Sequence, residues 1–378
     1  MRIRLTVLLL LCVLLVPGLA LAVPTEEIDL SYLEEATRVL REDLGELLPN
    51  LDAHALLEAA RGAEGIDWRG FLGAVFSYFF REVVAGSRLL GQLLLLVVLV
   101  ALLATLERSF SFTGAARIAE TLVFIAIMGF AIQSLNLALG TGRTAITNMV
   151  SFMQALLPVL FTLLAATGAM TTAAVFHPLL MMTIAVVGTI TQDFIFPLLY
   201  LATVLHLVTY LVPEMNVGRL ASLLQGICTS LLGLALCIFV GFSAVQGATS
   251  HVADGITIRS AKFLAGSFVP VVGKLFADAL EAVVGYTALL RTAVNAVGIF
   301  LILLMCAFPL LKILALIFIY KLAAALAEPI GDARMAKCLG NLGNSLAFVF
   351  ATVGAVALLF FLALTVILGV GNLATLAR

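Results

Sequence analysis

The sequence predicts an all-α, polytopic helical membrane protein with about eight to ten transmembrane helices. Three observations carry that expectation. Hydrophobic residues make up 63% of the 378-residue chain and charged residues only 11%. From Leu89 to Leu376, apolar runs follow one another with short breaks between them. Each run approaches the roughly 20 helical residues that cross a hydrocarbon core of about 30 Å. Runs of that length identify lipid as the solvent of this chain.

The elements follow in chain order. Arg2 and Arg4 precede the apolar stretch Leu5–Val16, Pro17 breaks it, and Ala20-Leu21-Ala22 offers small residues for cleavage. Residues 1–22 therefore read as a signal peptide, and residue 23 starts outside the cytoplasm. Residues 23–87 carry thirteen acidic side chains against five arginines. Acidic residues hinder export little, so this is an extracytoplasmic segment. Leu33, Ala36, Leu40, Leu44 and Leu47 recur at helical spacing, and Pro49-Asn50 ends that helix. Asp67-Trp68 opens a further amphipathic helix with Phe71, Val75, Phe79 and Val83 on one face. Trp68 and Tyr78 suit the membrane interface, so that helix is expected to lie on the bilayer.

The transmembrane domain covers 88–378. Its expected spans are Arg88–Leu106, Ile118–Ala138, Met149–Ala166, His177–Thr191, Phe196–Val212, Leu220–Val245, Ala296–Ile319 and Leu346–Val370. The stretch Ile258–Asn295 reads as a re-entrant hairpin or as two further crossings. Counting from an external start places 107–117, 168–176, 213–218 and a 319–344 loop in the cytoplasm. Lys321, Arg334 and Lys337 make that last loop basic, in agreement with the positive-inside rule, and they are candidate cytoplasmic contacts. Gly129-Phe130 and Gly241-Phe242 stand 112 residues apart, as do Pro158-Val159 and Pro270-Val271. Phe196-Pro197-Leu198-Leu199 and Phe308-Pro309-Leu310-Leu311 share that offset. The matches point to a parallel internal repeat of 118–212 and 230–324.

Chemistry-bearing patterns are sparse. No His-Glu-x-x-His and no Gly-x-Ser-x-Gly occurs, so no enzyme activity is expected. Leu139–Thr144 has two glycines but lacks a phosphate-loop ending, and reads as a turn between spans. The five cysteines have no metal-ligand or redox spacing, and no metal or cofactor is expected. They read as small buried hydrophobes. His177-Pro178 opens a span, where an interfacial role is the plain reading. A net charge of −1 offers nucleic acid no basic surface.

The ionisable residues that stand out are Arg259 and Lys262, then Lys274, Asp278 and Glu281. The last three share one helix face at i, i+4 and i+7. Charges at membrane depth pair or face water. Those five are candidates for lining an aqueous path or gripping a partner; an interfacial helix with a Lys274–Asp278 pair is the plainer alternative. Pro158, Pro197, Pro270 and Pro309 are expected to kink or break their helices. Broken helices survive in lipid only where protein or water covers the freed backbone.

Three segments resemble the stage III sporulation protein AE family: FLGAVFSYFFREVVAGSRLLG (71–91), VQGATSHVADGITIRSAKFLAGSFVPVVGKLFA (245–277) and FPLLKILALIFIYKLAAALAEPI (308–330). The Gly-Ile-Thr-Ile-Arg-Ser-Ala-Lys and Ile-Tyr-Lys-Leu runs are specific, and the resemblance extends over essentially the whole chain. It implies a multi-pass protein in the mother-cell membrane around the engulfed forespore. It implies as partners a forespore membrane protein, ring-forming subunits and a separate secretion-like ATPase, with self-association open. The implied function is a channel or permease-like subunit supporting late forespore development; a non-conducting scaffold for the rings and the ATPase is the alternative. No catalytic residues carry over.

Overall fold

The computed structural model describes residues 68–110, 115–211, 217–241, 272–330 and 333–376. The expected signal peptide, residues 23–67 of the acidic segment, and Arg259, Lys262 and Pro270 lie outside the described residues. So does part of the expected second repeat.

Among the described residues the fold is all helical. The elements are α1 (Trp68–Ala85), α2 (Ser87–Phe110), α3 (Ala115–Ala166), α4 (Met170–Thr189), a π-helical turn (Ile190–Ile195) and α5 (Phe196–Leu211). Then come α6 (Gly218–Gly241), α7 (Val272–Ile330) and α8 (Ala333–Leu376). Five stretches are long and apolar enough to cross a membrane: Thr121–Ala166, Met170–Leu211, Gly218–Gly241, Gly285–Ile330 and Ala333–Gly369. The bent pair Gly73–Ala85 and Ser87–Leu103, with an angle of 41°, makes a sixth if it crosses as one span. The chain is a polytopic helical membrane protein.

Among the described residues these are fewer than the expected runs because neighbouring apolar runs fuse. Ile118–Ala138 and Met149–Ala166 belong to one helix, α3. Residues 139–144, expected as a turn, are helical. The physical reason is visible at Gly142. A Cβ there would stand 2.9 Å from Val353 Cγ2 and 3.1 Å from Phe196 Cζ. The glycine is a close-packing position on a helix rather than a turn. His177–Thr191 and Phe196–Val212 likewise join through the π-turn. The expected 319–344 loop is also mostly helix: α7 runs to Ile330 and α8 starts at Ala333. Helices α3 and α7 continue through Pro158 and Pro309.

The core is the α7–α8 hairpin, with α3 against both, α4 on α3, α5 on α8, and α1 and α2 on α7. Met149, Leu156, Leu301, Ile313, Val349 and Phe360 are fully buried in it. Burying an apolar side chain against neighbours rather than lipid yields little hydrophobic gain, so close packing and hydrogen bonds hold the bundle. Asn295 Nδ2 donates to the Leu364 carbonyl at 2.9 Å, tying α7 to α8. The Tyr320 hydroxyl lies 3.0 Å from the Phe130 carbonyl and 2.8 Å from Ser134 Oγ, tying α7 to α3.

Helix α1, expected at the membrane surface, packs on the bundle. Tyr78 meets Phe308 edge-on at 5.0 Å and Phe79 meets Phe318 at 6.2 Å, so α1 packs on α7. The cysteines are not uniformly buried either: Cys228 and Cys338 are buried, whereas Cys237 is exposed.

Two sets of contacts define the ends of the bundle. At one end the Arg334 guanidinium lies 4.8 Å from the centre of the Phe124 ring and donates to the Tyr210 carbonyl, and Asn341 donates to the Tyr210 hydroxyl. At the other, Phe161 meets His177 edge-on at 5.3 Å. A Cβ on Gly298 would lie between Leu156 and Leu364 at that end. The α3–α4 turn is therefore opposite the α7–α8 turn. Residues 168–176 and 319–344, expected on one side, are thus at opposite ends of the bundle, because 115–166 is one continuous helix.

That α3–α4 turn is a Schellman motif. Gly168 has φ 92°, its N–H donates to the Ala165 carbonyl, and the Ala169 N–H donates to the Leu164 carbonyl. A left-handed residue at this position is the standard reason for a glycine.

Candidate functional site

The exposed face of α3 is not the face of an ordinary lipid-facing helix. Asn136, Gly140, Arg143, Thr147, Ser151, Gln154, Pro158 and Thr162 are all exposed and follow one another at steps of three or four. That spacing lines them up along one side of the helix. The seam is about 39 Å long at 1.5 Å per residue, more than a hydrocarbon core of about 30 Å. Every member is polar, small or proline.

Its charged centre is Arg143, at the midpoint of the apolar helix Thr121–Ala166. An Arg at the centre of a membrane helix costs about 2.5–3.5 kcal/mol on insertion scales unless it meets water or a partner. Arg143 donates one hydrogen bond, at 3.2 Å, to the Gln192 carbonyl in the π-turn. The Thr147 hydroxyl lies 3.0 Å from the Arg143 carbonyl and 3.4 Å from Gln192 Oε1.

The π-turn has a local cause. Pro197 has no N–H for the Asp193 carbonyl four residues back, and its ring crowds that carbonyl. Widening the helix to an i→i−5 pattern resolves both, as the Phe196 N–H bond to the Thr191 carbonyl shows. The Thr191 hydroxyl donates to the Val187 carbonyl at 2.7 Å. The result presents Asp193, exposed and with no polar contact to another described residue, on the face beside Arg143.

A cavity of about 350 Å³ adjoins the seam. It lies where the bent α1–α2 pair meets α3 and α7. Glu82, Arg88, Gln92, Gln133, Ser134 and Lys312 give it its polar lining, and Leu89, Leu137 and Ile319 are among its apolar walls. Gln133 stands three residues before Asn136, so the cavity and the seam meet along α3. The side chains of Glu82, Arg88 and Lys312 make no hydrogen bond or ion pair with another described residue. Two cations and one carboxylate thus face an open, wettable space halfway along the bundle.

Among the candidates from sequence, Lys274, Asp278 and Glu281 are on helix α7, upstream of Gly285, where the described side chains begin. Pro197 opens α5 directly after the π-turn, and Pro158 is a member of the seam. Lys321 belongs to α7 and donates to Asn344 Oδ1 at 2.6 Å. Arg334 and Lys337 belong to α8; Arg334 is engaged with Phe124 and Tyr210, and Lys337 is exposed. His177 is inside α4 rather than at its start.

Sequence reasoning missed Arg143, Asp193 and the cavity residues. A signal was present. Asn136, Arg143, Thr147, Ser151, Gln154 and Thr162 share one helical stripe, but taking 139–144 as a turn cut the stripe in two.

Residues 51–371 match the protein family described as stage III sporulation protein AE. The chain is 37% identical over 336 residues to the stage III sporulation protein AE of Bacillus subtilis (strain 168), covering 89% of this chain and 84% of that protein. No solved structure matches the chain.

Proposed function

The chain belongs to the stage III sporulation protein AE family, and from that premise we propose that it is the channel or permease-like membrane subunit of a sporulation complex linking mother cell and forespore. It acts in the mother-cell membrane around the forespore, with its amino-terminal segment outside the cytoplasm, and it is required for late forespore development. It is not an enzyme. Energy for any uphill step comes from a separate secretion-like ATPase, and ring-forming subunits extend the path.

The observation that supports this reading is the seam. Eight exposed polar, small or proline positions along one membrane helix, with Arg143 at its centre, form a wall suited to water. The adjoining cavity with Arg88, Lys312 and Glu82 gives a solute somewhere to pause. The test is solute flux through the reconstituted complex, with the wild-type chain and with the paired variant Thr147→Leu, Ser151→Leu. The expected result is a large loss of flux with the complex still assembled. Unchanged flux in an assembled complex would overturn the conducting role.

A non-conducting scaffold is the second reading, favoured by exposed Lys321 and Lys337 beside the α7–α8 turn. It predicts instead that Lys321→Glu, Lys337→Glu releases the ATPase and that the seam variants change nothing.

A further inference from the structure

Among the described residues the seam is on the outside of the bundle. One helix face cannot enclose a water path by itself, and lipid against it leaves Arg143 and Asp193 uncompensated at mid-height. Something must form the opposite wall.

We propose that the wall is a second copy of this chain, with Arg143 of one copy facing Asp193 of the next. The two residues have opposite charge and are exposed on one face, from different helices. Among the described residues Arg143 has only its hydrogen bond to the Gln192 carbonyl and Asp193 has no polar partner. The face is therefore self-complementary: each copy offers the cation and the anion that the other needs. A repeated contact of this kind closes into a ring or pair with the seams turned inward. Small and hydroxylated residues around the contact, Gly140, Thr144 and Thr189, are exposed and let two backbones approach. The alternative of one unrelated partner would need both charges supplied in the same register.

This inference rests on the seam's being covered, and it holds whether the enclosed path conducts or not. The test uses the full chain in its own membrane, in a background with all five cysteines replaced by alanine. Two differently tagged copies are expressed together, one with Thr144→Cys and one with Thr189→Cys, and oxidised with copper phenanthroline. Leu223→Cys, on the exposed face of α6, is the control. A disulfide linking the two tags is expected for the seam pair and not for the control. Arg143→Asp alone, or Asp193→Arg alone, is expected to lower the yield about tenfold, because like charges then face one another. The two together in one chain restore it.

Three outcomes overturn the proposal: no disulfide between tags, a yield indifferent to the charge changes, or capture of Thr144→Cys by a different protein alone. In each of them, seam positions that still react with a water-soluble thiol reagent and still carry flux would leave the channel reading standing. Failure of flux with the disulfide intact would do the reverse.

Discussion

Gly140 and Gly142 are two residues apart, and the structure gives them opposite tasks. A Cβ on Gly140 meets nothing within 4 Å, whereas one on Gly142 meets Val353 Cγ2 at 2.9 Å and Phe196 Cζ at 3.1 Å. Gly→Ala in a helix is favourable by about 0.8–1.0 kcal/mol through backbone entropy. At Gly140 that gain stands alone, so Gly140→Ala should stabilise the isolated chain by up to about 1 kcal/mol. At Gly142 it is opposed by overpacking of about 1–3 kcal/mol, because a stiff β-branched valine and a buried ring must both give way. Gly142→Ala should therefore lose up to about 2 kcal/mol, and the two variants should differ by about 1–3 kcal/mol. The assay is SDS-induced unfolding of the purified, monomeric chain in mixed micelles, followed by far-UV circular dichroism. Equal loss at both positions would refute the reasoning. It is what a turn with left-handed glycines gives, at about 1–2 kcal/mol each, and α3 would then be two helices.

Further expectations follow from single contacts. Gly168→Ala should cost about 1–2 kcal/mol in the same assay, since Gly168 has φ 92°; Gly168→Asn should cost less. Tyr320→Phe should cost about 1 kcal/mol by removing the hydroxyl between Phe130 and Ser134. Asn295→Leu should stay within about 1 kcal/mol of the parent. It gives up the bond to the Leu364 carbonyl but also removes Oδ1, which is buried without a hydrogen-bond partner among the described residues.

Class and membrane residence were legible from the sequence because they depend only on the length and density of apolar runs. Helix ends were less so. Gly140-Thr141-Gly142-Arg143 has turn-like composition, and only the approach of Phe196 and Val353 shows that the glycines serve packing. Pro158 and Pro309 mark helix breaks in water; here α3 and α7 continue through them, within a bundle whose neighbouring helices cover the freed backbone. The basic cluster Lys321, Arg334 and Lys337 was visible, yet its placement on helices rather than a long loop depended on α7 running to Ile330 and α8 starting at Ala333. The site was least legible of all. Arg143 and Gln192 are far apart in the chain, and their meeting depends on the antiparallel register of α3 with α4 and α5, which no single segment encodes. Once α3 is continuous, the stripe from Asn136 to Thr162 follows from spacing alone.

The central claim is that the seam of α3 borders water rather than lipid. Its most direct measurement is a cysteine scan of α3 in sealed proteoliposomes holding the assembled complex, scored by the rate of reaction with a charged, water-soluble thiol reagent. Fast reaction at Asn136, Gly140, Thr147, Ser151 and Thr162, with slow reaction at exposed apolar Leu122 and Ile125, is the predicted pattern. Uniformly slow reaction along the whole helix, seam included, would contradict it.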